Sequence, residues 1–253
     1  MAIEVFNRYE NKYMIDEVTY KMLLEHFSEY LDKDVYNQKG HPYKISNIYY
    51  DTVDHQLIKN SLAKPKYKEK LRLRAYGVPN PDTKIYVEIK KKVNGIVNKR
   101  RTSVKANEAY DFMIKENQRK AQDDMNPQVI KEIDYMIKRY DLFPSMYISY
   151  DRIAYFSKTT QDLRISFDSN ICYRIDNLNF EAGIHGKPLV NSGYYLMEIK
   201  AAHNMPLWLS QILTHYNIYP TSFSKYGNAY NKEHQLILKN ARGYETLIFD
   251  KIA

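Results

Sequence analysis

The chain has 253 residues, a formal net charge of +8, 44% hydrophobic and 27% charged residues, and 25 tyrosines. That length suits one large β domain or two small ones, and the composition excludes a disordered or fibrous chain. The basic balance suggests an anionic partner, and charge alone leaves open nucleic acid, an acidic membrane or a phosphorylated small molecule. Cys172 is the single cysteine, so no intrachain disulfide or thiolate metal cluster can form, which fits a reducing cytoplasm. The opening "MAIEVFNRYENKYMID" is charged and lacks the apolar core of a secretion signal. No stretch approaches the ~18 apolar residues of a membrane span.

Residues 3–15 read as a strand with Phe6, Arg8, Glu10 and Lys12 on one face and Val5, Tyr9 and Tyr13 on the other. Asp16 then caps a helix whose apolar stripe is Met22, Leu23, Phe27, Tyr30 and Leu31. Residues 43–51, "YKISNIYYD", form a strand, 54–63 a turn or short helix, and 66–76 another strand. Residues 84–93 and 96–105 flank Asn94-Gly95, a strong hairpin signal. Two helices follow at 107–121 and 127–140, the second with Asn126 as cap and Pro127 at its first position. Strands at 146–156 and 162–174 enclose "SKTTQ", and a last strand covers 193–201. Helices close the series at 206–216 and at 224–238 after Ser224, leaving "ARGYETLIFDKIA" unassigned. Helices interrupt the strands rather than alternate with them, so the expectation is one α+β domain over residues 1–253 with a mostly antiparallel sheet.

The strand "YKEKLRLRAYG" (67–77) sets Lys68, Lys70, Arg72 and Arg74 on one face. A two-residue turn at 94–95 pairs Glu88 with Arg101 and Lys90 with Lys99, so these residues and Lys92 share a face. A five-residue loop at 157–161 pairs Arg152 with Ser166 and Tyr150 with Asp168, with Arg164 on the same side. Glu198 and Lys200 share a face of the last strand. Any one such strand reads as an ordinary solvated face. Cations opposite cations are a different matter, because a like pair at ~4 Å costs about 1 kcal/mol in water and ~4 at an effective dielectric of 20. Repeated over neighbouring strands, this suits a polyanion held among them, on an open sheet or in a closed barrel with a charged lumen and helices outside. Arg and Lys rows favour phosphate oxygens over bases or lipid. The carboxylates Glu10, Glu88, Asp168 and Glu198 could pair with those cations or hold a hard divalent ion. Nucleic acid ranks low, because the aromatics of 43–50, 86 and 147–155 mostly alternate away from the charged face. The histidines show no paired metal or triad spacing.

In order along the chain, "RYENKY" (8–13), "LRLRAYG" (71–77), "VEIKKK" (87–92), "VNKRR" (97–101), "YDRIAYF" (150–156), "LRISFD" (163–168), "LMEIK" (196–200) and "SFSKY" (222–226) stand as short motifs. Together they resemble the catalytic domain of vacuolar transporter chaperone (VTC) polyphosphate polymerases, a branch of the triphosphate tunnel metalloenzyme superfamily. The resemblance spans about residues 3–235. It implies an eight-stranded antiparallel β tunnel with helices packed outside, and polyphosphate synthesis from ATP with Mn²⁺ or Mg²⁺. It implies Arg72, Arg74, Lys90, Arg164 and Lys200 around the reacting phosphates, and Lys12, Lys99, Arg101, Arg152, Ser224 and Lys225 as further substrate ligands. Glu198 becomes the metal ligand. Expected ligands are ATP, pyrophosphate, triphosphate and polyphosphate. The hydrolytic branch opens with Glu-x-Glu-x-Lys, where this chain has Arg8-x-Glu10-x-Lys12, and eukaryotic polymerases carry a lysine where this chain has Ser222. The first departure favours the polymerase branch, and the form the chain resembles is a stand-alone bacterial-type one without room for the further domains of the eukaryotic complexes. A metal-dependent triphosphatase of the same fold and a polyphosphate binder without turnover are the alternatives.

Overall fold

The computed structural model describes residues 9–37, 40–94, 96–116, 125–160, 162–202 and 204–249. Strand β1 (Tyr9–Asp16) ends at Asp16, whose carboxylate accepts the Thr19 N–H at 2.8 Å and so starts helix α1 (Glu17–Tyr30). There follow β2 (Leu31–Lys33), β3 (Tyr43–Asp51), α2 (Gln56–Leu62), β4 (Tyr67–Tyr76), β5 (Lys84–Val93) and β6 (Ile96–Lys105). Helices α3 (Ala106–Ile114) and α4 (Pro127–Tyr140) lead to β7 (Phe143–Ser157), β8 (Leu163–Arg174), β9 (Lys187–Pro188) and β10 (Tyr194–Ala201). Helices α5 (Leu207–His215) and α6 (Lys225–Phe249) complete the chain. Among the described residues no helix is long and apolar enough to cross a membrane.

All ten strands join one antiparallel sheet. Eight of them form the path β1-β10-β8-β7-β3-β4-β5-β6, with β2 added to β7 and β9 to β8. The path matches the expected eight-stranded tunnel wall, and the two short strands are additions. No ladder joins β1 to β6 among the described residues. The sheet curls until Lys90 on β5 and Glu10 on β1 meet at 3.5 Å, so side chains bridge that gap.

The apolar outer face is covered by helices. Leu71, Leu73, Ile85, Val87 and Ile89 pack with Ala109 and Phe112 of α3 and Val129 and Ile133 of α4. Tyr13, Ile165, Phe167, Met197 and Ile199 pack with Leu23 and Phe27 of α1 and Leu209 and Leu213 of α5. Fully burying each such side chain contributes ~1.5–3 kcal/mol.

Several expectations need correction. The β5–β6 register is as anticipated, with Glu88 opposite Arg101 and Lys90 opposite Lys99. The β7–β8 pair is shifted by two, placing Arg152 opposite Asp168 and Phe156 opposite Arg164. An even shift keeps every side chain on its face, so the charged face survives it. Further along, Asn170 and Ile171 on β8 oppose the single residue Tyr150, and Asn170 takes a left-handed φ of 49°. This bulge reverses the alternation and turns Ile171 and Tyr173 inward. The helix expected at 107–121 stops at Ile114, and residues 117–124 lie outside the described residues, as do 3–8 of the first strand. The unassigned tail continues α6 to Phe249.

The inner face is therefore charged over only part of its length. Toward the other end, Ile45, Tyr49, Met146, Ile148, Ile171, Tyr173 and Leu196 form an apolar cluster with Ile58 of α2 and Tyr226 and Ala229 of α6. Asp51 ties these parts together. Its carboxylate accepts the N–H groups of Thr52, Leu57 and Ile58 and the Tyr226 hydroxyl, at 2.8–3.0 Å. Gly227 allows α6 to lie against α2, since a Cβ there would sit 3.0 Å from Leu62 Cδ2.

Candidate functional site

The charged part of the inner face encloses a cavity of about 350 Å³. Ten cations line it, namely Lys12, Lys70, Arg72, Arg74, Lys90, Lys99, Arg152, Arg164, Lys200 and Lys225, against the carboxylates Glu10, Glu88 and Glu198. Tyr49, Tyr150, Val97 and Ser224 complete the wall. The excess of seven positive charges is nearly the whole net charge of +8 carried by the chain.

Two carboxylate hubs organise the cations. Glu88, 2% exposed, accepts Arg72 Nε and Nη2 at 2.9 and 2.8 Å and Lys99 Nζ at 2.5 Å, with Arg74 Nε at 3.7 Å. Burial opposes its ionisation, but Arg74, Arg72 and Lys99 hold the carboxyl well below the usual range. The second hub joins two buried carboxylates. Asp168 takes Arg152 side-on through Nε and Nη2 at 2.6 and 2.7 Å, and Lys225 at 2.5 Å. Glu198 faces Lys225 at 3.1 Å, Lys200 at 3.5 Å, Arg152 at 3.6 Å and Lys12 at 3.8 Å. These cations outweigh burial and keep Glu198 ionised far below the ordinary glutamate value. Glu10, against Lys90, Lys200 and Lys12, is likewise brought down to about 2 despite its burial.

The start of α6 is built into the wall. Thr221 N–H donates to the Lys12 carbonyl at 2.6 Å, and the Lys12 ammonium donates to the Phe223 carbonyl at 2.9 Å. Ser224 caps the helix by accepting the Gly227 N–H at 3.1 Å, and it also accepts Lys70 Nζ at 3.2 Å. The helix thus begins at the cavity, and its first-turn N–H groups add positive potential there.

Of the residues singled out in the sequence, Lys12, Arg72, Arg74, Lys90, Lys99, Arg152, Arg164, Glu198, Lys200, Ser224 and Lys225 meet around this one cavity. Arg101, opposite Glu88 and on the same face, does not line it. Glu88 already has three nearer cations, and the Arg101 guanidinium instead lies over the Tyr86 ring at 4.9 Å. Lys70 was missing from the expected ligands, yet its place two residues before Arg72 is signal enough. It makes no ion pair among the described residues, and burial with Lys90, Lys12 and Lys68 nearby lowers its pKa to about 8. Lys200 is also lowered, by burial first and by Arg152 and Lys90. Arg164 Nε is buried without a hydrogen-bond partner.

The aromatics also need correction. Tyr43, Tyr49, Tyr86 and Tyr150 lie on the charged face rather than away from it, as the ladders place Tyr49 opposite Arg72, Tyr86 opposite Arg74 and Tyr43 opposite Arg152. Arg72 Nη1 donates to the Tyr49 hydroxyl at 2.8 Å and Arg74 Nη2 to that of Tyr150 at 3.4 Å. Burial raises both phenols, but the surrounding cations win and draw them below the usual tyrosine range.

No three His, Cys, Asp or Glu side chains gather as a metal cage among the described residues. Glu10 and Glu198 both reach Lys12, at 3.4 and 3.8 Å. One or two hard carboxylates fit Mg²⁺ or Mn²⁺ in the mode where phosphate oxygens and water complete the shell.

A family model described as the VTC domain matches residues 7–234. The chain belongs to the VTC domain family. No curated protein matches this VTC domain in sequence. Among solved structures, a candidate adenylate cyclase from Bacillus halodurans is similar over 88% of this chain and 96% of its own, at 14% identity and a TM-score of 0.52. That likeness supports the fold. Another candidate adenylate cyclase, from Vibrio parahaemolyticus, aligns over 90% of this chain and 99% of its own, at 10% identity and a TM-score of 0.47.

Proposed function

We propose that this VTC domain is a polyphosphate polymerase that transfers the γ-phosphoryl group of ATP to the end of a growing inorganic polyphosphate chain. The observation that carries this reading is the excess of cations in one cavity, set partly as like-charge rows that three carboxylates in the wall offset only in part and a polyanion would offset further. Two polyanions must meet head-on for the transfer, and their repulsion is the main obstacle. Arg72, Arg74, Lys90, Arg164 and Lys200 offset it around the reacting phosphates, with Lys70 added from the geometry. Lys12, Lys99 and Ser224 bind neighbouring phosphates. Arg152 and Lys225, spent largely on Asp168 and Glu198, position that carboxylate pair and contribute field more than contact.

Among the described residues no histidine or cysteine lines the cavity, and phosphoryl transfer needs alignment and charge neutralisation more than a protein nucleophile. The reading is therefore direct transfer, with ADP leaving and no phospho-enzyme. Glu198, with Glu10 beside it, would hold a divalent ion, which supplies charge neutralisation on phosphate oxygens when bound. The apolar cluster with α2 and α6 packs around Tyr49, which also lines the cavity.

The test is to incubate pure protein with ATP, Mn²⁺ and a pyrophosphate primer, then stain a gel for polyphosphate. A ladder of polymer is expected. Orthophosphate release from triphosphate without polymer would replace this reading with a triphosphatase, and neither product would leave a binding protein.

A further inference from the structure

The inner face does not end at the phosphate-sized cavity. It runs into a rim of aromatic rings drawn from neighbouring strands, of which Tyr43 also packs against the apolar cluster. Tyr43 on β3, Tyr76 on β4 and Tyr86 on β5 form a continuous series, with centroids 6.0 Å apart for the first pair and 5.9 Å for the second. Tyr36, 80% exposed, extends it from outside at 6.4 Å from Tyr43. Arg101, exposed and without an ion pair among the described residues, lays its guanidinium over Tyr86.

The rim adjoins the cations. Tyr86 stands directly opposite Arg74 in the ladder, and the Tyr43 hydroxyl accepts Arg164 Nη2 at 3.3 Å. Tyr86 is two residues from Glu88 along β5, a rise of ~7 Å. Tyr76 is 46% exposed, an uncommon state for a large ring on the inner face of a sheet. Inorganic phosphate chains have no use for such a surface. A nucleobase does, since every base offers a π-face to an aromatic ring or an arginine plane.

We propose that this rim, formed by Tyr43, Tyr76, Tyr86 and Arg101, docks the base of the nucleoside triphosphate whose phosphates enter the cavity. This deepens the polymerase reading and rests on it. It gives the site a polarity. The nucleoside end of the donor sits at the tyrosine rim, the γ-phosphate lies deeper among Arg72, Arg74 and Lys70, and Arg101 recognises base rather than phosphate.

The experiment compares two probes, ATP and inorganic tripolyphosphate, by titration calorimetry on wild type, Tyr76→Leu, Tyr86→Leu and Tyr86→Phe. Leucine keeps apolar bulk at a partly exposed position and removes the π-face. Each leucine variant should weaken ATP about 5-fold or more, the worth of stacking one base on one ring, and leave tripolyphosphate within about 2-fold. Tyr86→Phe should bind both like wild type. Fluorescence of 2-aminopurine riboside triphosphate should be quenched on binding to wild type and recover in the leucine variants. Unchanged ATP affinity in Tyr76→Leu and Tyr86→Leu, or equal weakening of both probes, would overturn the rim while leaving the phosphate cavity standing. A wild-type protein that binds neither probe would overturn the polymerase reading as well.

Discussion

Replacing Glu88 by glutamine removes the charge that holds Arg72, Arg74 and Lys99 together while keeping the side-chain shape. The carboxylate is 2% exposed and has cation nitrogens at 2.5, 2.8 and 3.7 Å. A unit pair at 3–4 Å in an effective dielectric of 20 interacts by ~4–5 kcal/mol, and removing one side of a buried pair costs ~3–5 kcal/mol. Lys99 is 40% exposed and its share is screened, so the lower end, ~3 kcal/mol, applies. For a chain of this size that lowers the melting temperature by ~6–12 °C. Phosphate oxygens can take the place of the lost carboxylate, because Glu88 faces the cavity. Differential scanning calorimetry with and without saturating tripolyphosphate should show the variant's deficit shrinking by more than half when the ligand is present. The pH dependence follows from the sign of the shift. Since the fold depresses the Glu88 pKa below the ordinary 4.5, its contribution is complete above that value and is lost as pH falls toward the folded pKa. The gap between wild type and Glu88→Gln should therefore be full near pH 6, close in strong acid, and shrink somewhat above pH 7 as Lys99, which burial lowers to about 7, gives up its proton. A deficit that is the same with and without tripolyphosphate would refute the argument that the carboxylate and the ligand share the same cations.

The remaining predictions concern ligand affinity and the α6 anchor. Lys70, lowered to about 8, should take up a proton when a polyanion binds, so wild-type tripolyphosphate affinity should fall as pH rises from 7 to 9, and Lys70→Met should flatten that dependence. Calorimetry in buffers of different ionisation enthalpy reads the proton directly, and no uptake at pH 8.5 would count against it. Glu198→Gln removes a negative charge facing four cations, three of which keep Asp168 or Glu10 as a partner, so metal-free tripolyphosphate binding should hold or tighten while polymer synthesis drops by at least 10-fold; weaker metal-free binding would contradict the assignment. Tyr226→Phe deletes the 2.8 Å bond to buried Asp51, should cost ~1–3 kcal/mol in chemical denaturation, and should raise the KM for ATP more than it lowers kcat, because it loosens the first turn that carries Lys225. An unchanged KM would show that α6 is held elsewhere.

The charged face was legible from local chemistry. Period-two alternation in residues 67–76 and the Asn94-Gly95 turn decide which side chains are neighbours, because a strand has two faces and a two-residue turn allows one register. Even the mistaken loop length between β7 and β8 did no harm, since an error of two residues leaves parity intact. The eight motifs resembling the VTC family then implied a tunnel of eight antiparallel strands, which alternation could not, while the order of the strands came from the structure. What lay beyond the sequence was set by contacts distant along the chain. The bulge at Asn170 and Ile171 turns part of the inner face apolar, and it exists only against the paired residue Tyr150. Lys225 was reached only through the resemblance, and its place at the cavity depends on Asp51, 175 residues away from Tyr226 in sequence, which fixes the helix that carries it. Arg101 shares a face with Glu88 by parity yet leaves it, because three other cations reach that carboxylate first and the Tyr86 ring offers the guanidinium a better surface. Alternation assigns a face, but competition among like charges for few carboxylates assigns partners, and that competition takes place only once the strands have closed around one cavity.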